Sequence, residues 1–199
     1  MTAARTCLTI ALCAALAASP AAAQNKPDSE AFIEAIEEQR NNDVIALVAK
    51  KGRAIVNVRG YSGATPLTVA MRKRAAPYVN YLLQNGADPN LGDKNGDTAM
   101  MIAARLGYVE GVATMLLAKA AVDAANRQGE TALIIAVQNR NVQVVKRLLE
   151  AGASPTRADN ASGLSARDYA ARDRRSSEIL RLLETVKKKP VFVAGPIIG

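Results

Sequence analysis

Residues 129–154 read GETALIIAVQNRNVQVVKRLLEAGAS, and this stretch decides the fold. Thr131 stands at the head of a short helical stretch, where its hydroxyl suits the capping of free backbone N–H groups. Small residues such as Ala136 let a neighbouring helix approach closely. A second, more aliphatic stretch runs from Val142 to Leu149, with its apolar residues at helical spacing. Gly152 falls where that helix must end in a left-handed conformation. One helix pair of this kind cannot bury its apolar face alone, so copies must stack.

The copies are present. Gly-x-Thr/Ser recurs as Gly63-Ala64-Thr65, Gly96-Asp97-Thr98, Gly129-Glu130-Thr131 and Gly163-Leu164-Ser165, at spacings of 33, 33 and 34. Five residues after each Thr or Ser stands Ala70, Ala103, Ala136 or Ala170. Further along come Leu82-Leu83, Met115-Leu116, Leu148-Leu149 and Leu182-Leu183, all in phase. Gly86-Ala87-Asp88, Lys119-Ala120-Ala121 and Gly152-Ala153-Ser154 close the first three copies.

Thr65-Pro66-Leu67, Gly86-Ala87-Asp88-Pro89-Asn90 and Ala120-Ala121-Val122-Asp123-Ala124 resemble the opening and closing motifs of the ankyrin repeat family. The resemblance covers residues 30–186. It implies an all-α solenoid of about five helix-turn-helix repeats with short β-hairpin loops. The apolar residues of Ser29–Lys51 read as two short amphipathic helices, with Glu30, Glu34, Glu37 and Glu38 on a polar side. They fit an N-terminal capping copy, and Ser162–Glu184 fits a C-terminal one. The sequence also departs from the family. Thr68, Met101, Ile134 and Asp168 replace its usual His. Lys119 replaces a helix-ending Gly. Arg74, Arg140 and Arg174 replace the Gly between helices, which only Gly107 keeps, and Arg167 stands where a buried Leu is usual.

Composition narrows the function. The 199 residues contain no His, which excludes His-based acid–base catalysis, Ser-His or Cys-His nucleophile pairs and His-ligated metals. No catalytic constellation, cofactor site or metal site is expected. Glu37-Glu38 reads as a solvated surface pair. Asp93-Lys94-Asn95-Gly96-Asp97 has the flavour of a calcium loop, but its twelfth position is Ala104, so a hairpin tip is the better reading. Residues 1–23 read as a cleavable signal peptide: Arg5 lies in the n-region, an apolar run spans Cys7 to Ala18, and cleavage follows Ala23. Cys7 and Cys13 are the only cysteines, so the mature chain is free of thiols, as suits an oxidising compartment. The expected location is the bacterial periplasm, with secretion as the alternative.

The predicted organisation is a signal peptide (1–23), a linker (24–29), the repeat domain (30–186) and a basic, apolar tail (187–199). By resemblance, hairpin tips and inner helix ends line one concave face. The expected partner-binding residues there are Tyr61, Arg72, Lys73, Lys94, Arg105, Leu106, Arg127 and Arg172. The face is expected to be net positive. Its predicted partner is a protein with an acidic patch, met by a monomeric scaffold without catalysis. The resemblance implies that such a partner is an envelope enzyme that the scaffold inhibits, protects or supports. The alternative is a binder of anionic envelope lipid or cell-wall polymer, which Arg172–Arg175 and Lys187–Lys189 would serve. Nucleic acid is not expected, since these clusters lack interleaved aromatics.

Overall fold

A computed structural model describes residues 27–186. The predicted signal peptide and the predicted tail lie outside them. Five helix pairs follow one another among the described residues. They are α1 (Asp28–Glu37) with α2 (Asn41–Lys51), α3 (Pro66–Arg72) with α4 (Ala76–Gln84) and α5 (Ala99–Arg105) with α6 (Val109–Leu117). The last two are α7 (Ala132–Gln138) with α8 (Val142–Glu150), and α9 (Ala166–Arg172) with α10 (Ser177–Val186). The first helix takes in Asp28 and Ser29, the last two residues of the predicted linker.

The two helices of a pair have different compositions, and this sorts them into layers. In α5 every residue from Ala99 to Ala104 is buried, and in α7 every residue from Ala132 to Val137. A helix apolar on all sides needs cover on all sides. It gets that cover from its own partner and from the odd-numbered helices before and after it: α1, α3, α5, α7 and α9 pack in series. The even-numbered helices are amphipathic. In α8 only Val144, Val145, Leu148 and Leu149 are buried. Each buried aliphatic side chain contributes roughly 1.5–3 kcal/mol, most of it available only when the neighbouring copy is present.

Small residues on the odd-numbered helices, including Ala70, Ala103, Ala136 and Ala170, are almost fully buried. They permit close approach on that side. The outer side opens instead into a groove of about 450 Å³ between α4 and α6 and one of about 270 Å³ between α2 and α4. In the first three pairs the odd-numbered helices thus pack closely while the even-numbered ones stand apart.

The capping expectation holds in every full copy. Thr65, Thr98, Thr131 and Ser165 each accept a hydrogen bond from the backbone N–H three residues on. The missing His is replaced in two ways. Thr68 and Asp168 accept the N–H of Thr65 and Ser165, completing reciprocal capping boxes. Met101 and Ile134 are simply buried in the core.

Gly86 and Gly152 end their helices at φ 87° and 90°, and Lys119 takes the same left-handed role at φ 58°. Between helices, Gly107 at φ 64° is matched by Arg74 at φ 52° and Arg140 at φ 56°. A side chain held there costs about 1 kcal/mol or more. Both arginines offset that strain by tying one copy to the next. The Arg74 guanidinium donates to the Leu106 carbonyl and lies 5.6 Å from the centroid of the Tyr108 ring. Arg140 Nε donates to Asp173 at 2.6 Å. That bond, with the Arg175 N–H, holds the Asp173 carboxyl at about 2. Arg174 departs from the series: it opens a 3-10 turn, Arg174–Ser176, because Asp173 is extended and accepts the Arg175 N–H. Arg167 is half-buried, and its guanidinium reaches Glu184 at 3.8 Å.

A second periodic device joins the copies. Asn57, Asn90 and Asp123, each 33 residues apart, accept the backbone N–H groups of Asp88, Ala121 and Ser154 at 2.8, 2.7 and 2.9 Å. The hairpins have little sheet character. Their bridges, Ala125 to Thr131 and Ala158 to Ser165, are isolated. Their tips nevertheless stack closely. Arg127 N–H donates to the Asn95 carbonyl at 3.0 Å, and Asn160 N–H to that of Gln128 at 2.7 Å. A Cβ on Gly129 would lie 2.6 Å from the Asn160 nitrogen, whereas one on Gly152 would meet nothing within 4 Å. Both glycines have positive φ. Gly152→Ala is therefore expected to cost about 1 kcal/mol from backbone strain alone, and Gly129→Ala about 2–3 kcal/mol. Urea unfolding of the two variants measures the difference.

Candidate interaction surface

The hairpins are built by one recurring side chain. Asp93 Oδ1 accepts the N–H groups of Asn95 and Asp97, and Asn126 Oδ1 accepts those of Gln128 and Glu130. Asp159 Oδ1 accepts those of Ser162 and Gly163, in a hairpin one residue longer. Asp93 is thus fully used as a turn former, as the hairpin reading of 93–97 requires. In the first hairpin this position is Gly60, where a Cβ would come within 3 Å of Ile33 and Glu30. Glu30 reaches in from α1 and accepts the Tyr61 N–H at 2.9 Å. The carboxylate stands in for the hairpin that the capping copy lacks.

Asp159 is 5% exposed. Burial pushes its carboxyl up, but hydrogen bonds from the Tyr169 hydroxyl, Ser162 and Gly163 outweigh burial and hold it at about 2, against 3.8 ordinarily. The charged form is therefore favoured by folding. Its contribution is complete above about pH 4 and is lost as pH falls through 2. We expect Asp159→Asn to cost roughly 1–2 kcal/mol at pH 7. The deficit against the native chain should shrink between pH 4 and pH 2, as thermal unfolding across that range would show.

The stack brings the sequence-predicted residues into two rows. Tyr61, Lys94 and Arg127 occupy the same position on successive hairpins, four residues before the capping Thr. Tyr61 is 78% exposed, and Lys94 and Arg127 are exposed beside it. Arg72, Arg105 and Arg172 are the last residues of α3, α5 and α9, with Gln138 of α7 completing the row. Lys73 follows Arg72 as an exposed helix cap. Leu106 is half-buried against the core.

Ion pairing divides these cations. Arg105 bonds Asp97 Oδ2 at 2.8 Å, and Arg72 lies 3.8 Å from Asp93. Asp97 Oδ1 accepts from the buried Asn126 amide at 2.8 Å, which also donates to Glu130 at 3.0 Å. Gln138 donates to the other oxygen of Glu130 at 3.3 Å. The acids of this face are thereby spent on internal bonds. Hydrogen bonds from Ser165 lower the pKa of the Asp168 carboxyl, and the charge of Arg172 adds a smaller push in the same direction. Among the described residues no carboxylate comes within ion-pair distance of Lys73, Lys94 or Arg127. Sequence reasoning missed the buried Asn126 hub and the role of Glu30.

Other chemistry is sparse. Among the described residues no group of three or more Cys, Asp or Glu could hold a metal ion, and no helix is long and apolar enough to cross a membrane. The fold and its polar inner face define a stacked helix-pair scaffold. Two family models make the assignment specific. One for three copies of the ankyrin repeat matches residues 79–159 and 112–189, and one for many copies matches residues 47–103. The chain belongs to the ankyrin repeat family. It is 32% identical over 92 residues to Ankyrin repeat domain-containing protein 63 of Mus musculus, covering 43% of this chain and 23% of that protein. Against the protein of that name in Homo sapiens it is 30% identical over 89 residues, with the same shares. The matched region thus spans about a quarter of the length of these relatives. Ankyrin repeat proteins are generally non-catalytic modules for protein–protein contact.

Proposed function

We propose that this protein is a stoichiometric binding partner in the bacterial periplasm, taking an acidic surface of another protein against its concave face. One observation carries the reading. Asp93, Asp97 and Glu130 are all occupied by internal bonds, while Lys73, Lys94 and Arg127 stand exposed. Arg72, Lys73, Lys94, Arg105, Arg127 and Arg172 outnumber these acids, so the net charge offered to a partner is positive. Such a face speeds encounter with an acidic protein and fixes its orientation more than it deepens affinity. Tyr61 adds a large, rigid apolar contact at one end of the row.

The compartment follows from residues 1–23, with the mature chain beginning at Gln24. The partner is an envelope enzyme that the scaffold inhibits, protects or supports. A monomer suits this role, since the capping copies close both ends of the stack.

Affinity capture from periplasmic extract tests the reading. The full chain should retain one protein. Reversal of Lys73, Lys94 and Arg127 to Glu should abolish its capture, and reversal of the exposed Lys50, Lys119 and Lys146 should spare it. Capture of many acidic species, all released by moderate salt, would favour an anionic-polymer binder instead. Mass spectrometry of the exported protein should find Gln24 as its first residue.

A further inference from the structure

Two of the three free cations of this face, Lys94 and Arg127, lie in one row. Tyr61, Lys94 and Arg127 recur once per copy, and the tips that carry them seat on one another. A Cβ at Gly63 would lie 2.5 Å from the Lys94 Cβ, and one at Gly96 would lie 3.2 Å from the Arg127 nitrogen. The Arg127 N–H is bonded to Asn95, the neighbour of Lys94. The odd-numbered helices that follow these tips pack in series, and helices in direct contact stand about 8–10 Å apart, which sets the repeat of the row. The arginines of the neighbouring row are differently placed: Arg105 is bonded to Asp97, and Arg72 lies 3.8 Å from Asp93.

An extended polyproline-II segment rises about 3.1 Å per residue and repeats every three residues, so side chains three apart lie on one side about 9 Å from each other. That period matches the row. A β-strand presents every second residue to one side at about 7 Å, and it falls out of step by the third copy. We propose that the hairpin-tip row reads an extended acidic segment of its partner, with acidic residues three apart on Lys94 and Arg127. A large apolar residue, a further three away, lies on Tyr61. This rests on the concave-face reading above and specifies its ligand. A three-contact row with an aromatic end suits a short peptide of defined spacing rather than a uniform polyanion.

The test uses fluorescence polarisation with the full chain. The probes are Leu-Pro-Ser-Glu-Pro-Ser-Glu and the reversed peptide Glu-Pro-Ser-Glu-Pro-Ser-Leu. Controls of equal charge carry the two Glu residues two or four apart. One of the two probe orientations should bind about tenfold more tightly than the controls. The double variant Lys94→Glu with Arg127→Glu should lose that binding, and Lys146→Glu should leave it within twofold. Tyr61→Ser should equalise the Leu peptide and its Ser counterpart. Equal affinity at all spacings would overturn the three-residue register and leave the basic-face reading standing. An equal loss with Lys146→Glu would overturn both. A heparin fragment that binds more tightly than every peptide would assign the row to polyanions and overturn the proposal. Failure of every peptide to bind would also overturn it, while capture from extract judges the broader reading separately.

Discussion

Helices α5 and α7 have no polar side along the buried runs Ala99–Ala104 and Ala132–Val137, and the rest of the structure answers to that constraint. Neither helix is covered by its own partner alone. Each needs another odd-numbered helix before and after it, so the unit of stability is the stack and not the copy. The terminal pairs must then be asymmetric. In α1 the inward residues Phe32, Ile33, Ala35 and Ile36 are buried, while Glu37 and Glu38 remain in water.

The loops and hairpins between helices leave backbone N–H groups without a partner in regular structure, and this creates a second demand. The chain meets it with side chains that recur at the same period as the apolar residues. Asn57, Asn90 and Asp123 serve the loops after the helices, and Asp93, Asn126 and Asp159 serve the hairpins. Meeting the demand at the hairpins has a functional consequence. It draws the carboxylates Asp97 and Glu130 into internal bonds, on a face where lysine and arginine outnumber the acids.

The period of 33, the Thr caps and the glycine helix ends were legible in the sequence because each is a local rule repeated in phase. Lys119, Arg74 and Arg140 were legible as residues in glycine positions, but their compensation was not. Arg140 is relieved by Asp173, a contact between copies whose geometry no local pattern encodes. Arg174 looked like a third case, but Asp173 redirects the chain there into a 3-10 turn. The shared hairpin position of Tyr61, Lys94 and Arg127 was legible from the 33-residue period. Which cations of the face are neutralised was not, because the Arg105–Asp97 pair and the Asn126 hub form only when hairpin and helix end meet. The recurrence of Asp93, Asn126 and Asp159 was visible in the sequence as a 33-residue spacing and could have pointed to that hub.

The central claim is that the concave, hairpin-tip side of the stack holds the partner. The most direct measurement places a photoreactive residue at Gln128, on the exposed tip row, and in parallel at Leu117, which is 85% exposed on the outer helix α6. Both proteins are expressed in the native cell and irradiated. The account predicts one discrete adduct from position 128 and none of that size from position 117. The same adduct from position 117 alone would contradict it and move the binding surface to the outer helices.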